Sequence, residues 1–350
     1  MPTSIHEQTL LATVLPGLES VAIDEITTKL PKASIVGVYR GRILFNTQPP
    51  FDHTTQLRSV DNIYMLIERF KVGPHKADLA QLCSTVAKID LLPFAKWVSS
   101  SLDSPTFVVN ASKKGKMTYS RFDAADSAAE GILRRHPRWV KGQLDEHQLE
   151  FRLDIDQQDA LFSLRMTAAD FRFRGKQRLF TKAALRPTVA HALVWCSTPE
   201  PTDSFLDPFC GSGTLVCERM HYPAARICGS DISEEAISAA RENVPLPHTQ
   251  AAFQRWDARN LPVDAKSITK IVTNLPFGRQ ILPHDDLSGL YADVLQEFKR
   301  ILADDGAVYA ITDQTDTLAR AIATTGFQHE ALATLSLKGT LPQLFCLRHG

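Results

Sequence analysis

A glycine-rich turn at residues 207–214 has the composition of a ligand-binding loop. It reads Asp-Pro-Phe-Cys-Gly-Ser-Gly-Thr, and it lies where a strand pattern passes into a helix pattern. Glycines in such a turn let the backbone approach a ligand closely, and the first N–H groups of the following helix can donate hydrogen bonds to it. The alternative is a tight turn that needs glycine only for its positive φ angles.

Two carboxylates further along the chain favour the ligand-binding interpretation. Asp231 ends the next strand pattern, close to the position where an acidic residue contacts a ribose in nucleotide-binding βαβ units, and Asp257 follows the third strand pattern. A dinucleotide is disfavoured because residues 214–216 supply no third glycine, and because Asp207 would repel a diphosphate. A cationic ligand with adenosine and no phosphate suits these carboxylates better. S-adenosylmethionine fits that description.

A second motif, Asn-Leu-Pro-Phe-Gly at residues 274–278, follows an apolar strand pattern and suits an exocyclic amine. Asn274 offers its side-chain carbonyl, and the backbone carbonyl of Leu275 or Pro276 offers a second acceptor. Two acceptors can hold both amine hydrogens and turn the nitrogen lone pair toward a sulfonium methyl group, while Phe277 stacks on the base. The alternative, a strand-ending turn with a buried Phe277, is disfavoured by the position of the motif behind the glycine turn.

The two motifs together resemble the class I RNA methyltransferases that modify guanosine N2, in the form found in the THUMP-containing tRNA (guanine-N2) methyltransferases. The N-terminal half is similar to that family as well. Residues 13–19 resemble the start of its ferredoxin-like domain, and residues 107–135, with Lys113-Lys-Gly-Lys116, resemble its RNA-binding THUMP module. The resemblance covers nearly the whole chain and implies methylation of guanosine N2 in tRNA, in or near the acceptor stem, with S-adenosylmethionine as cofactor.

The resemblance also implies a set of cofactor-binding residues. Asp207, Gly211 and Gly213 would shape the methionine end of the pocket. Asp231 would bind the ribose hydroxyls, and Asp257 would bind the adenine amine. The full set implied is Asp207, Phe209, Gly211, Gly213, Thr214, Asp231, Ile232, Asp257, Ala258 and Asn274.

The catalytic residues implied are Asn274, Leu275, Pro276 and Phe277. Leu275 departs from the wider pattern of amine methyltransferases, in which a second proline is common, and this departure leaves the identity of the base open. No covalent nucleophile is needed because the amine attacks the methyl group itself, so Cys210 is interpreted as a small packing residue. The glycine turn precedes the amine motif, which disfavours those DNA methyltransferases in which the order is reversed.

The elements that must position these motifs alternate after Pro187. Strand patterns at 204–208, 226–231, 268–273 and 307–312 alternate with helix patterns at 214–222, 234–243, 286–303 and 315–325. Such alternation predicts a parallel sheet with helices on both faces. Two final strands, 327–337 and 342–348, have no helix between them and are predicted to pair antiparallel. The resemblance identifies this α/β unit as a seven-stranded class I, Rossmann-like methyltransferase domain.

The N-terminal half is predicted to be an α+β, ferredoxin-like and THUMP-like RNA-binding half. It has helix patterns at 55–70, 78–88 and 123–135 and strand patterns at 106–111, 149–155 and 159–166. The predicted domains are an N-terminal ferredoxin-like domain at 1–50, a THUMP-like RNA-binding domain at 51–168, a basic connector at 169–186 and a methyltransferase domain at 187–350.

The formal net charge of zero conceals an uneven distribution. Residues 1–186 carry 26 Lys and Arg against 20 Asp and Glu, a net charge of +6, whereas residues 187–350 carry 13 against 19, a net charge of −6. In an extended connector the alternating Arg172, Arg174, Lys176 and Arg178 would share one face at intervals of about 6.6 Å. Such a row suits a phosphate backbone. The alternative is a solvated linker that neutralises the acidic half.

The basic residues predicted to bind RNA share these two positive segments. They are Lys113, Lys114, Lys116, Arg121, Arg134, Arg135, Arg172, Arg174, Lys176, Arg178 and Lys182. The predicted macromolecular partner is therefore tRNA, with rRNA as the nearest alternative substrate. A non-catalytic RNA-binding module is the alternative from a different class. The sequence leaves open an activating protein partner and the oligomeric state.

The remaining features predict a cytoplasmic protein without structural metal. The apolar stretch 10–18 contains Pro16 and Gly17 and has no basic residue before it, which disfavours an export signal. Six cysteines occur without a C-x-x-C pair, so zinc and redox motifs are disfavoured. No segment approaches the length of about 18–20 apolar residues that a membrane helix requires.

Overall fold

A computed structural model of the chain describes residues 7–99, 103–143, 146–175, 179, 184–244, 251–277, 284–337 and 339–350. These residues form two β-sheets, one in each half of the chain. In the described part of the chain, no helix combines the length and hydropathy needed to cross a membrane.

The first sheet has the strand order β2-β3-β1-β4-β8-β7-β5-β6. Its strands are β1 (Gln8–Thr13), β2 (Ser34–Tyr39), β3 (Arg42–Thr47), β4 (Asn62–Lys71), β5 (Thr106–Lys114), β6 (Val140–Lys141), β7 (Leu149–Asp156) and β8 (Asp159–Arg165). The helices of this half are α1 (Glu19–Lys29), α2 (Leu79–Val86), α3 (Leu92–Ala95) and α4 (Arg121–Arg135). Strand β4 pairs with β1 on one side and β8 on the other, so the two predicted N-terminal domains share one hydrogen-bonded sheet.

The predicted helix at 55–70 is wrong. A 3₁₀ turn at Phe51–Gln56 is followed by the central strand β4, whose first five residues are buried. A short apolar run that is buried on both faces of a sheet has no alternation, and its periodicity therefore does not distinguish it from a buried helix. The antiparallel strands that pair with β4 on both sides favour a strand over a helix here.

The second sheet confirms the predicted methyltransferase fold. Its order is β11-β10-β9-β12-β13-β15-β14, with parallel pairing from β11 to β13 and antiparallel pairing of β13, β15 and β14. The strands are β9 (Ser204–Asp207), β10 (Arg226–Asp231), β11 (Ala251–Arg255), β12 (Ile268–Asn274), β13 (Leu302–Thr312), β14 (Phe327–Thr334) and β15 (Gln343–His349). The helices are α5 (Pro187–Cys196), α6 (Thr214–Arg219), α7 (Glu234–Asn243), α8 (His284–Ile301) and α9 (Thr315–Thr325).

The strand order places a topological switch point at β9. The chain continues from β9 to β10 on one side, and later returns to place β12 on the other side. In open parallel sheets, ligands bind beside the carboxyl ends of the strands at such a point. Asp207, Asp231 and Asn274 are the last residues of β9, β10 and β12. The topology therefore brings the glycine turn and the amine motif to the same edge of the sheet.

A buried cluster of five charged or titratable side chains joins the two halves; we call it the charged junction and define it as Glu25, Arg58, Arg174, His191 and Glu218. The Nε2 atom of His191 lies 3.0 Å from Glu25 Oε1, and its Nδ1 atom lies 3.4 Å from Glu218 Oε2. Arg58 donates to both oxygens of Glu218 at 2.8 and 3.0 Å. The junction links α1, the segment before β4 and the connector to α5 and α6.

The connector differs from the extended row that its alternating charges suggest. Phe171–Phe173 forms a 3₁₀ turn, and Arg174 takes a left-handed φ of 60°. The Arg174 side chain is 8% exposed and contacts Glu218 Oε1 at 3.3 Å, because the buried carboxylate attracts it into the charged junction. The extended row is therefore wrong for residues 171–174. Lys176, Arg178 and Lys182 lie outside the described residues.

Candidate active site

The glycine turn is held in a shape that other residues do not adopt readily. Gly211 and Gly213 have φ angles of 49° and 79°, in the left-handed region that favours glycine. A Cβ atom on Gly213 would lie 3.1 Å from the Cβ of Ala240 and 3.3 Å from the ring of Phe253. The turn therefore needs glycine at residue 213 for two reasons, its backbone angle and its packing against α7 and β11. Thr214 begins α6 directly after it.

Asp207 is a buried carboxylate at the start of this turn, with 1% of its surface exposed. Its Oδ1 atom accepts hydrogen bonds from Thr273 Oγ1 at 2.9 Å and from the backbone N–H of Phe209 at 3.2 Å. Burial raises the pKa of Asp207 to about 7, against the opposing effect of these two hydrogen bonds, and the nearby Asp231 raises it further. Among the described residues, no Lys, Arg or His side chain forms an ion pair with Asp207.

Asp231 organises the turn from the neighbouring strand. One carboxylate oxygen accepts the backbone N–H of Gly211 at 3.0 Å, and the other accepts the N–H of Ser233 at 3.0 Å. Each oxygen of a carboxylate can accept about two hydrogen bonds, so each retains capacity for a further donor. Asp231 therefore both fixes the turn and presents acceptors at the edge of the sheet.

These residues fit S-adenosylmethionine by their chemistry. A buried carboxylate without a cationic side-chain partner suits a ligand that brings positive charge, because an opposite charge favours the ionised form. Asp231 presents acceptors suited to the two hydroxyl groups of a ribose. Ile232 follows it with 61% of its surface exposed, which gives an apolar contact at the position next to those acceptors. The carboxylate acceptors and the apolar side chain match the polarity of the cofactor.

The predicted adenine-binding residues have a different environment. Both oxygens of Asp257 accept hydrogen bonds from the Arg259 guanidinium, at distances of 2.7–3.1 Å. These hydrogen bonds hold the pKa of Asp257 below its ordinary value. Ala258 is buried. An adenine amine that donates to Asp257 would therefore share this carboxylate with Arg259.

The amine motif leaves the sheet at the end of β12. The backbone N–H of Leu275 donates to the carbonyl of Ile311 on β13 at 3.1 Å, and the Leu275 side chain is buried. Asn274 and Phe277 are half-buried and Pro276 lies between them. This arrangement places the amide of Asn274 and the ring of Phe277 at the same edge as the glycine turn. Gly278 lies outside the described residues.

Three residues of the site belong to no motif in the sequence. The Tyr291 hydroxyl donates to the carbonyl of Pro276 at 2.8 Å and lies 2.7 Å from the hydroxyl of Thr312. Tyr291 lies on α8 and Thr312 at the end of β13, and both are buried. Tyr291 holds the backbone of the amine motif from α8, and Thr312 holds the Tyr291 hydroxyl from β13. The third such residue, Thr273, precedes Asn274 and donates to Asp207, so it links the two motifs directly.

The predicted RNA-binding residues divide between surface and interior. Lys114, Lys116, Arg121, Arg134, Arg135 and Arg172 are exposed, and Lys113 is half-buried. Lys113 and Lys114 end β5, whereas Arg134 and Arg135 end α4. Arg174 belongs to the charged junction and is not at the surface.

Comparison with known proteins finds relatives along the whole chain. The family model UPF0020, described as the RMKL-like methyltransferase domain, matches residues 174–343. The chain is 25% identical over 346 residues to the tRNA (guanine(6)-N2)-methyltransferase of Thermus thermophilus, which covers 97% of this chain and 98% of that protein. It is 21% identical to the tRNA (guanine(6)-N2)-methyltransferase of Methanocaldococcus jannaschii, over 96% of this chain and 98% of that protein.

A solved structure shares the architecture. The crystal structure of TrmN from Thermus thermophilus has a TM-score of 0.81 and 24% sequence identity, and the match covers 99% of this chain and 100% of that chain. The likeness extends through both sheets. It shows that the fold of the N-terminal half, as well as that of the methyltransferase half, is the one found in that structure.

Proposed function

We propose that this chain, which belongs to the THUMP-containing family of S-adenosylmethionine-dependent guanine-N2 methyltransferases, methylates N2 of guanosine 6 in the acceptor stem of tRNA. The observation that carries the proposal is the meeting of the glycine turn and the amine motif at the carboxyl ends of three adjacent strands. The position within tRNA rests on the full-length relatives. Because tRNA is the substrate and all six cysteines are free thiols, we propose the cytoplasm as its compartment.

The cofactor would be held by the residues of the glycine turn and its neighbours. When bound, S-adenosylmethionine supplies an electrophilic methyl group. Asp207 would face its cationic methionine end, since the buried carboxylate has no cationic side-chain partner among the described residues. Asp231 would accept hydrogen bonds from the ribose hydroxyls, and Ile232 would contact the adenine face. Asp257 would accept a hydrogen bond from the adenine amine, beside the hydrogen bonds that it already accepts from Arg259.

The amine motif would orient the guanine. The lone pair of guanine N2 is delocalised into the ring, so the site must align it as well as bring it close. Asn274 and a backbone carbonyl of the motif would accept the two amine hydrogens, and Phe277 would stack on the base. Tyr291 would keep the Pro276 carbonyl in place. Alignment of this kind contributes up to about 7–11 kcal/mol in favourable intramolecular models.

Access to the base requires that the guanosine leave the stem. Extruding a paired base costs a few kcal/mol, and stacking on an aromatic ring offsets part of that cost. Phe277 is the aromatic residue placed for this role. The exposed basic residues at the end of β5 and on α4 would hold the phosphate backbone meanwhile. Their role predicts an affinity for RNA that falls steeply with salt.

The test is methyl transfer to defined RNA. Purified protein and labelled S-adenosylmethionine are incubated with a tRNA transcript, with the same transcript carrying adenosine at position 6, and with ribosomal RNA. We expect N2-methylguanosine in the first transcript alone, identified by mass spectrometry of the digested nucleosides. Transfer to ribosomal RNA alone would favour the rRNA alternative. Tight RNA binding without any transfer would favour a non-catalytic binding module.

A further inference from the structure

A second polar cleft lies in the N-terminal half, away from the glycine turn and the amine motif. It has a volume of about 380 Å³, and its walls come from the end of β1, the β2–β3 turn, the start of β4, strands β5 and β7, and the connector. Four arginines line it, Arg40, Arg42, Arg152 and Arg172, against two aspartates, Asp61 and Asp154. We call it the arginine cleft. Its volume falls within the range of small-molecule sites and is large enough for a nucleotide-sized group.

The charges of the arginine cleft do not cancel. Arg152 and Asp154 neutralise each other through two hydrogen bonds of 2.6 and 2.9 Å. Arg42 lies 3.8 Å from the same Asp154 and 3.7 Å from Asp156, so it also has anionic partners. Arg40 and Arg172 form no ion pair with any residue that the structure describes. Two guanidinium groups therefore remain without an anionic side-chain partner within one cleft.

The first of these guanidinium groups is carried by a turn that is fixed in place. Gly41, between Arg40 and Arg42, has a φ of 75°. Its N–H donates to Glu19 Oε1 at 2.6 Å, and its carbonyl accepts the N–H of Val14 at 3.0 Å. These hydrogen bonds anchor both sides of the turn to the body of the protein. A ligand that binds Arg40 therefore finds an ordered backbone behind it, which lowers the entropic cost of binding.

The second guanidinium group comes from a different element, the connector. Arg172 is exposed and lies over the ring of Phe173, with 4.5 Å between the guanidinium carbon and the ring centroid. The 3₁₀ turn at Phe171–Phe173 sets its position. Arg174, two residues further along, is bound inside the charged junction and anchors the end of this turn. Arg40 and Arg172 thus approach one cleft from two elements that are held separately.

We propose that the arginine cleft binds a phosphate of the RNA backbone, at a nucleotide other than the one that is methylated. Guanidinium groups bind phosphate through paired N–H donors, and a phosphate supplies the anion that Arg40 and Arg172 lack. Arg40 also donates to Ser336 in the methyltransferase half at 3.3 Å. A phosphate in the cleft therefore ties the RNA to the boundary between the two halves. The identity of the RNA rests on the proposed function; the anion site does not.

The experiment compares tRNA binding by the wild-type chain and by the double variant Arg40→Gln/Arg172→Gln across a series of KCl concentrations. We expect the affinity at low salt to fall by roughly tenfold or more, and the slope of log K against log salt to lose about one unit for the phosphate contact removed. Both side chains are exposed, so the substitutions remove no core packing. An unchanged melting temperature verifies that the fold is retained.

Matched controls make the result specific to the cleft. Arg226→Gln removes an exposed arginine at the first residue of β10, at the opposite edge of the sheet from the site, and should leave the slope unchanged. Arg40→Lys/Arg172→Lys keeps the charge but loses the paired N–H donors of the guanidinium group. Relative to the Gln double variant, it should restore most of the salt dependence and part of the affinity for tRNA. In methyl-transfer assays, the Gln double variant should show a raised KM for tRNA.

Different results would overturn the phosphate site and the proposed function. An unchanged slope and affinity in the Gln double variant would overturn the phosphate site, even if the protein methylates tRNA. Equal losses in the Arg226 control would overturn it as well, because any exposed arginine would then contribute. Absence of methyl transfer by the wild type, together with the expected loss of slope, would overturn the proposed function and leave the anion site supported.

Discussion

Buried carboxylates occur in two regions of this protein, and their surroundings are opposite. In the charged junction, Glu25 and Glu218 are fully buried and surrounded by cationic groups. At the catalytic edge, Asp207 is also buried, but among the described residues it has hydrogen bonds and no ion pair. The comparison distinguishes buried carboxylates that stabilise the fold from a buried carboxylate that is available to a ligand.

In the junction, the protein compensates its own charges. Burial alone would raise the pKa of Glu25, but the His191 ring and the Lys29 ammonium override it and lower that pKa to about 2. Burial acts against ionisation of Glu218 as well, and His191 with Arg58 and Arg174 holds its pKa well below the ordinary value. Both carboxylates are therefore ionised at neutral pH. Removing one partner of such a buried pair is strongly destabilising, so these charges belong to the folded structure.

At the catalytic edge, the compensation is incomplete. Burial raises the pKa of Asp207 to about 7, and the neighbouring Asp231 adds to the rise instead of opposing it. A strongly shifted pKa in a cleft is typical of a functional site, where a ligand supplies the missing interaction. The difference teaches that burial does not distinguish the two regions; the presence of a cationic partner does.

The largest effect should come from breaking the junction. Glu218→Ala leaves Arg58, Arg174 and His191 without their shared carboxylate, and an uncompensated buried charge costs about 3–5 kcal/mol. We expect a clear fall in the midpoint of thermal or urea unfolding. The matched control is Glu234→Ala, an exposed glutamate whose nearest contact with Arg241 is 3.9 Å, which should leave the midpoint almost unchanged. Equal stability of the two variants would contradict the structural role of the junction.

The next prediction is a loss of catalytic activity without a change in stability. Asn274→Ala removes the side-chain acceptor that is proposed to orient the guanine amine, and losses of this kind reduce turnover by about 10²–10³-fold. We expect methyl transfer to fall at least that far, while calorimetric binding of the cofactor and the unfolding midpoint remain near those of the wild type. Full activity of this variant would remove Asn274 from the catalytic site.

A smaller effect is expected at the ribose acceptor. Asp231→Ala removes acceptors for the ribose and also the anchor of the Gly211 N–H. Hydrogen bonds to a charged group contribute about 1.5–3 kcal/mol, so the dissociation constant for the cofactor should rise by roughly 10- to 100-fold. Isothermal titration calorimetry measures it, and Asp264→Ala, an exposed aspartate on a surface loop, is the control. An unchanged dissociation constant would argue against the ribose role.

The same comparison explains what the sequence predicts well. The glycine turn and the amine motif are contiguous segments, and each lies at a strand end that its own neighbours predict. The alternation of strands and helices then fixes the sheet edge on which Asp207, Asp231 and Asn274 meet. The strands at 226–231 and the helix at 234–243 have the predicted bounds. Local pattern was sufficient for the methyltransferase half because its order is set by short βα units.

The junction could not be predicted in this way. Its contacts join residues that lie far apart in the chain, such as Arg58 and Glu218, and nothing in the local sequence of Arg174 distinguishes it from the exposed Arg172. Both were predicted to bind RNA, yet one guanidinium is bound inside and the other is exposed. Tyr291 and Thr312 escaped prediction for the same reason, since Tyr291 contacts the amine motif from a distant element and Thr312 contacts Tyr291. The role of each of these side chains depends on its tertiary contacts and not on its residue type.

The sharpest test of the comparison is the pH dependence of stability in the ligand-free protein. The folded-state pKa of Asp207 is raised to about 7 from an ordinary value of 3.8, so its contribution to stability is present at low pH and is lost as the pH rises from about 4 through 7. Asp207→Asn removes this titration. We expect the stability advantage of the variant over the wild type to grow from near zero at pH 4 to a few kcal/mol at pH 8, since each unit of pKa shift corresponds to about 1.4 kcal/mol.

Glu25 titrates with the opposite sign. Its folded-state pKa is lowered to about 2 from an ordinary value of 4.5, so its contribution is present above about pH 4.5 and is lost as the pH falls toward 2. Between pH 5 and pH 8 the junction glutamate therefore stays ionised while Asp207 changes its charge. Urea unfolding of wild type and Asp207→Asn across this range isolates the catalytic edge. Parallel pH profiles would mean that Asp207 is already compensated, and the distinction between the two regions would fail.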